Sequence, residues 1–288
     1  MKRILASVLF ICCAVPALAL QPYVAADQTV GGNLPAALAK TEQKLSAAGF
    51  AVIGRHQPSG LPQYASIVVT DSGLTDAVKQ IGGSAVIGAP IRVGVKADGS
   101  VSYVNLEYWE RAYLRGDYAK AEAAVKAAAA KLGAALGNGK PFGGEVAADK
   151  LAKYHYMFGM EYFDERSELK EYADFDAAVK AVQANLAKGA AQTAKVYELV
   201  LPEQKIAVFG VAMNDKDKGE GWWVNKIGAD HIAALPWEVY VVGGKVYGLY
   251  GRYRTALGWP ELGMGQFMGI ASHPDTTKKM LEAVAGAE

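Results

Sequence analysis

KQIGGSAVIGAP (residues 79–90) and NKIGADHIAALP (residues 225–236) are two versions of one segment. Ile81-Gly82 aligns with Ile227-Gly228 and Pro90 with Pro236, at a constant offset of 146. Each is followed by an alternating apolar strand, a turn and a second strand. The first hairpin is IRVGVKADGSVSYVNLEY, turning at Asp98-Gly99. The second is WEVYVVGGKVYGLYGRY, turning at Gly243-Gly244. Asp-Gly or Gly-Gly between alternating apolar residues signals a hairpin, because glycine adopts the positive φ that tight turns require. A repeat of this kind outweighs any single motif in deciding the fold.

The repetition extends outward from the hairpins. Leu34–Ala48 and Phe175–Lys188 carry helical stripes. Strand-like stretches follow each, at 50–53 and 66–69 in the first copy and at 195–201 and 205–211 in the second. Helices then follow the hairpins, at 118–136 and 276–285, the second opened by Pro274 and Asp275. The expected class is α+β: two tandem domains, each an antiparallel sheet packed against helices. The first repeat spans 30–137 and the second 153–286. The Gly-, Pro- and Asn-containing stretch 138–152 is read as a linker between them.

The N-terminus reads as an address. Lys2-Arg3 precede an apolar run, Ile4–Val15, and then the small-x-small site Ala17-Leu18-Ala19. The run is shorter than the ~20 apolar residues that span a bilayer, and no later run reaches that length. Residues 1–19 are therefore expected to be a bacterial signal peptide, which places the chain in the periplasm without a transmembrane anchor. Val24-Ala25-Ala26 offers a second cut as late as residue 26. Cys12 and Cys13 lie in the apolar run, where Ile11 replaces the small residue that lipidation requires. The processed chain would thus lack cysteine chemistry altogether.

Hydrophobic residues make up 51% of the chain and charged residues 20%, the composition of a folded protein. Thirty basic residues against 29 acidic ones argue against a nucleic-acid partner, which calls for a basic excess.

APIRVGVKADGSVSYVNLEYWERAYL (89–114) resembles the domain-of-unknown-function 302 family, through Pro90, Asp98, Gly99 and Tyr103, with Asn105 near the family's turn position. The second copy matches more loosely, through Leu235, Pro236, Gly244, Tyr250 and the strand KIAVFGVAM (205–213). GFAVIGRHQPSG (49–60) resembles the family's Gly-Phe strand running into a histidine, here His56. The resemblance implies two tandem domains of one fold. It implies no activity.

Candidate sites come from composition. Aromatic and arginine residues cluster after each hairpin: Tyr108, Trp109 and Arg111 in one copy, Arg252, Tyr253, Arg254 and Trp259 in the other. They suit an anionic or planar small-molecule ligand, or equally an interface between the repeats packed about a pseudo-twofold. YHYMFGMEYF (154–163) and LGMGQFMGIASHP (262–274) supply His155, Met157, Met264, Met268 and His273, donors that haem iron or copper accepts. The same residues also suit an aromatic core strand and a gap-filling helix. Trp222-Trp223 reads as a strand start, His56 as a solvated loop residue, and His231 as a residue without a partner. Catalytic triads, zinc-binding His pairs and phosphate-binding glycine loops are missing, so no catalytic residue is nominated. The leading expectation is a periplasmic small-ligand-binding or accessory protein. The alternatives are a haem or copper carrier and a structural interaction partner of another periplasmic protein, with an enzyme last.

Overall fold

The computed structural model describes residues 18–26, 33–155, 157–163 and 167–287. All but the last two residues of the expected signal peptide, Cys12 and Cys13 included, lie outside the described residues.

In chain order the first half runs β1 (Ala19–Leu20), β2 (Tyr23–Ala25), α1 (Leu34–Ala47), β3 (Ala51–His56), β4 (Tyr64–Thr70) and α2 (Ser72–Ile81). After a 3-10 turn at Gly83–Gly88 come β5 (Ile91–Lys96), β6 (Val101–Val104), α3 (Leu106–Leu114) and α4 (Tyr118–Leu136). A connection follows, with β7 (Pro141–Phe142), β8 (Val146–Ala147) and α5 (Ala148–Leu151). The second half runs β9 (Ser167–Glu171), α6 (Phe175–Ala187), β10 (Thr193–Leu201), β11 (Ile206–Met213) and α7 (Glu220–Ile227). After a 3-10 turn at Ala229–Ala234 come β12 (Trp237–Val242), β13 (Lys245–Gly248), α8 (Gly251–Gly258), α9 (Met264–Met268) and α10 (His273–Ala285). The fold is α+β.

Two antiparallel sheets carry it, ordered β3-β4-β5-β6-β2-β7 and β10-β11-β12-β13-β9. Local chemistry starts the helices. Asn33, Asp71 and Asp174 each accept a backbone N–H of the first turn of α1, α2 and α6, satisfying a donor that the helix itself leaves unpaired. In α4 the buried residues Tyr118, Ala121, Val125, Ala128, Leu132 and Leu136 recur at three- and four-residue steps, so one stripe faces inward.

The two halves pack reciprocally. The 3-10 turn of the second half lies on β4 and β5 of the first, and that of the first lies on β11 and β12 of the second. Gly94 in β5 is required by this packing, because a Cβ there would sit 2.5 Å from the Ile232 side chain. The edge strands β3 and β10 also meet, each at a bulge, where Gly54 passes directly over Val196 and Tyr197. The buried apolar residues of both halves form one continuous core.

Three expectations change. The stretch read as a linker is built into the first half: Phe142 of β7 pairs with Tyr23, and Val146 of β8 pairs with Leu20. The described residues of 154–163 form no strand; Met157–Met160 make a turn in which the Met160 N–H donates to the Met157 carbonyl at 3.0 Å. Trp222 and Trp223 lie in helix α7, where Trp223 turns inward and Trp222 stays half-buried. Residues 23–25, ahead of the expected start of the first repeat at 30, are also structural, since β2 sits between β6 and β7. No helix among the described residues is long and apolar enough to cross a membrane.

Candidate functional site

Of the seven residues proposed for ligand binding, five are enclosed: Tyr108, Trp109, Tyr253, Arg254 and Trp259 are all fully buried. They meet between the halves. The Tyr108 hydroxyl donates to the Leu257 carbonyl at 3.0 Å, and the Tyr253 hydroxyl reaches the Ala112 carbonyl at 3.5 Å. Arg92 and Glu238, related by the 146-residue offset, form an ion pair at 2.5 Å. Arg254 joins the same carboxylate at 3.2 Å, and both guanidinium groups lie about 5 Å from the Trp109 ring centroid. Burial works against charge on these arginines, but Glu238 more than restores it, so both are held above the usual guanidinium range.

These groups are buried because the second 3-10 turn ends there. Its carbonyls at Ala233, Ala234 and Leu235 accept from Arg92, Arg254 and Ser66 respectively. Without such donors the buried carbonyls would be orphaned, at a cost of roughly 1–3 kcal/mol each. Arg254 is thus committed to holding the interior together. Glu110, also buried, touches Gly88 and has one oxygen without a partner. Burial pushes its carboxyl up to about 8, against the pull of Arg92.

The histidines are likewise occupied. His273 is fully buried and stacked on Trp223 at 4.1 Å. Its ring nitrogens lie 3.1 Å from the Thr255 hydroxyl and 2.9 Å from that of Thr277. Burial lowers its pKa to about 3. Met264 and Met268 instead lie exposed on α9, so the structure does not bring them and His273 into one donor set. His155 is at the surface, where its Nδ1 donates to the Met157 carbonyl at 2.7 Å and its ring stacks on Tyr162. No group of three His, Cys, Asp or Glu residues that could hold a metal occurs among the described residues. His56, expected in a solvated loop, ends β3 as a buried residue 2.6 Å from Glu220 at the start of α7. His231 does have partners, the Gly258 carbonyl at 2.9 Å and the Trp259 ring.

The residues that face solvent around a real hollow are others. Leu151 and Tyr154 anchor one end of the 155–162 segment, Tyr154 through its hydroxyl to the Ala256 carbonyl at 3.0 Å. Phe163 anchors the other end against Tyr113 and Tyr253. Between these anchors the chain bows outward and turns at Gly159, which takes a φ of +79°. Phe158 stands at the crest, 98% exposed, with Met157 and Tyr162 partly exposed beside it. An open hollow of about 530 Å³ lies under this crest. It shares Glu161 and Tyr250 with a more enclosed cavity of about 140 Å³, which reaches between the starts of α8 and α10.

Arg252 lines that cavity and pairs with Glu161 at 2.9 Å. The other Glu161 oxygen is buried and has no partner. Ser167, Asp275 and Lys278 complete the polar lining, against an apolar wall that includes Leu169, Leu249 and Leu281. The two sequence patches at 154–163 and 262–274 therefore do converge, but through Glu161, Pro274 and Asp275, not through their histidines and methionines. Arg111, the remaining candidate, lies elsewhere, paired with Glu107 and stacked on Tyr118. Glu161 carried a faint sequence signal as the one acid within an aromatic run. Ser167 and Lys278 carried none.

In comparison with known proteins, the chain matches no family model, no curated protein and no solved structure.

Proposed function

We propose that this chain is a binding protein that holds a small amphipathic molecule between the 155–162 segment and the starts of α8 and α10. One observation carries the reading. Glu161, with an unpartnered, buried carboxylate oxygen, lines both a small cavity and the adjoining open hollow that is edged by the almost fully exposed Phe158. A buried acceptor without a donor costs free energy, and a ligand that supplies the donor recovers it. The exposed aromatic on the adjoining hollow offers apolar area to the rest of the ligand, and the cavity itself sets convergent polar groups against an aliphatic wall.

The order of basic, apolar and small residues in 1–19 supports placing this binding protein in the periplasm. The sequence resemblance and the contact between counterpart residues support reading the halves as tandem repeats of domain-of-unknown-function 302 type, packed about a pseudo-twofold.

Native mass spectrometry and an absorption spectrum of the processed protein, taken from the compartment it occupies, test the reading. A retained small molecule that is lost in Arg252→Ala, with the fold intact, is the expected result. A bare polypeptide that takes up nothing from its own extract overturns it. A Soret band would restore the haem-carrier alternative. A second reading, docking of a protein partner, is favoured by the exposure of Phe158 alone. It predicts that Phe158→Ser abolishes a complex while Arg252→Ala leaves it intact.

A further inference from the structure

Resting on that reading of the cleft, we infer that the enclosed cavity takes a zwitterion: a small α-amino acid with an aliphatic side chain. The charged groups around it are two acids, Glu161 and Asp275, and two bases, Arg252 and Lys278, so the lining is formally neutral. A ligand with net charge would leave an uncompensated charge in a partly desolvated space, whereas a zwitterion leaves none.

The spare bonding capacity has both signs. The free Glu161 oxygen accepts but cannot donate, and so calls for an ammonium or another N–H. Asp275 makes no ion pair with any described residue. Arg252 spends one nitrogen on Glu161 and keeps the rest of its planar fork for a carboxylate; Lys278, on the same cavity, already pairs with Glu282 at 3.4 Å. The ligand's ammonium and carboxylate would thus bridge a pair that is already formed, without breaking it. Leu169, Leu249 and Leu281 supply an aliphatic surface for the side chain. A cavity of about 140 Å³ with this aliphatic wall suits a branched aliphatic group better than a flat indole, whose N–H would meet no acceptor among the leucines.

The test is calorimetric titration of the full processed chain with L-leucine, and with the two molecules that each carry one of its charges, isoamylamine and 4-methylpentanoate. Leucine should bind at least tenfold more tightly than either, and L-tryptophan should bind at least tenfold more weakly than leucine. Glu161→Gln should weaken leucine and the amine by tenfold or more and spare the acid. Arg252→Met should weaken leucine and the acid and spare the amine. Both positions are partly solvent-exposed, so both variants should keep the parent's melting transition; Asp275→Asn gives a further probe of the ammonium side. Equal binding of the amine and leucine, or of the acid and leucine, overturns the zwitterion. A retained native ligand together with no response to any of the three overturns the amino-acid class but leaves the binding reading standing. No retained ligand and no response defeats both.

Discussion

Trp109 and Phe158 are both large aromatics with an arginine and a glutamate nearby, yet one is 1% exposed and the other 98%. Around Trp109 the charges are paired inside the chain: Arg92 and Arg254 share Glu238 and cap the backbone carbonyls of the second 3-10 turn, while Arg254 Nη1 and the Tyr113 hydroxyl stay buried without a partner. Around Phe158, Glu161 likewise keeps an oxygen to spare. The comparison teaches that aromatic and arginine residues together do not make a site. What separates the two regions is enclosure: the charged groups beside Trp109 are sealed between the halves, whereas Arg252 and Glu161 are partly solvated and line a cavity.

The largest effect should come from removing part of the enclosed region. Tyr23 of β2 is fully buried, and its hydroxyl donates to the Gly258 carbonyl at 2.9 Å. The carbonyl of the neighbouring Pro22 accepts from both Trp109 and Asn105. A chain beginning at residue 27 loses this strand from between β6 and β7, and should lose cooperative folding, an effect on the order of the whole stability of a domain, ~5–15 kcal/mol. A chain beginning at residue 20 keeps the strand and should melt cooperatively. Circular-dichroism melts compare the two. Cleavage after Ala19 is therefore the processing expected, and N-terminal sequencing of the exported protein checks it. Recovery of a folded, exported chain starting at residue 27 would refute this account of β2.

Glu238→Gln comes next. It leaves Arg92 and Arg254 buried with no full anion between them, and should cost roughly 3–5 kcal/mol in urea unfolding, as for other buried pairs broken from one side. Glu110 provides a way to sharpen this. With Glu238 neutral, the nearby arginines favour the ionised form of Glu110, which then supplies part of the missing charge. The double variant Glu110→Gln/Glu238→Gln should thus be less stable than the sum of the single changes, which a double-mutant cycle measures.

Glu110 and His273 also set the pH dependence of the enclosed region. The folded-state pKa of Glu110 is raised to about 8, from an ordinary 4.5. Between those values the folded state holds a proton that the unfolded state has released, so stability falls as pH rises through this window. The slope is about 1.4 kcal/mol per pH unit at its steepest. Glu110→Gln removes that slope. His273 acts with the opposite sign. Its folded pKa is about 3 against an ordinary 6.5, so the unfolded state binds the extra proton and stability is lost as pH falls through that range. The two slopes oppose each other between pH 4.5 and 6.5, so urea unfolding from pH 4 to 9 should show the Glu110 limb of the parent only above 6.5 and, in Glu110→Gln, the His273 slope below it. An unchanged slope in Glu110→Gln would mean that another group carries the alkaline limb.

Much of the architecture was legible because it rests on local pattern. The α+β class, both hairpin turns and the limits of α4 follow from periodicity and turn chemistry. The start of the fold was not legible: β2 is three residues long and derives its stability from Phe142 and Val104 far along the chain. The 154–163 segment misled because alternating aromatics suit a strand, whereas its described residues turn at Gly159, which takes a positive φ. In the site, Arg252 was visible as an arginine after a hairpin, but so was Arg254, and sequence offers nothing to tell them apart. Their difference lies in the 3-10 carbonyls and Glu238, which only the packing of the two halves places beside Arg254.

The smallest stability effect should be Arg252→Ala, and it draws the sharpest line between the two regions. Arg252 and Arg254 are two residues apart on one helix and each pairs with a glutamate. The Arg252–Glu161 pair is partly solvated, and such pairs contribute about 0–1 kcal/mol because water screens the charges and the side chains lose freedom in forming them. Arg254→Ala should instead cost several times as much, by stranding the Ala234 carbonyl and one side of Glu238. Ligand retention should follow the reverse order at matched folded fraction: lost in Arg252→Ala, and retained in Arg254→Ala wherever that variant still folds. Chemical denaturation and native mass spectrometry on the same two samples decide the matter. If both variants destabilise equally, the separation of interior from cleft is wrong, because two neighbouring arginines would then be serving one and the same network.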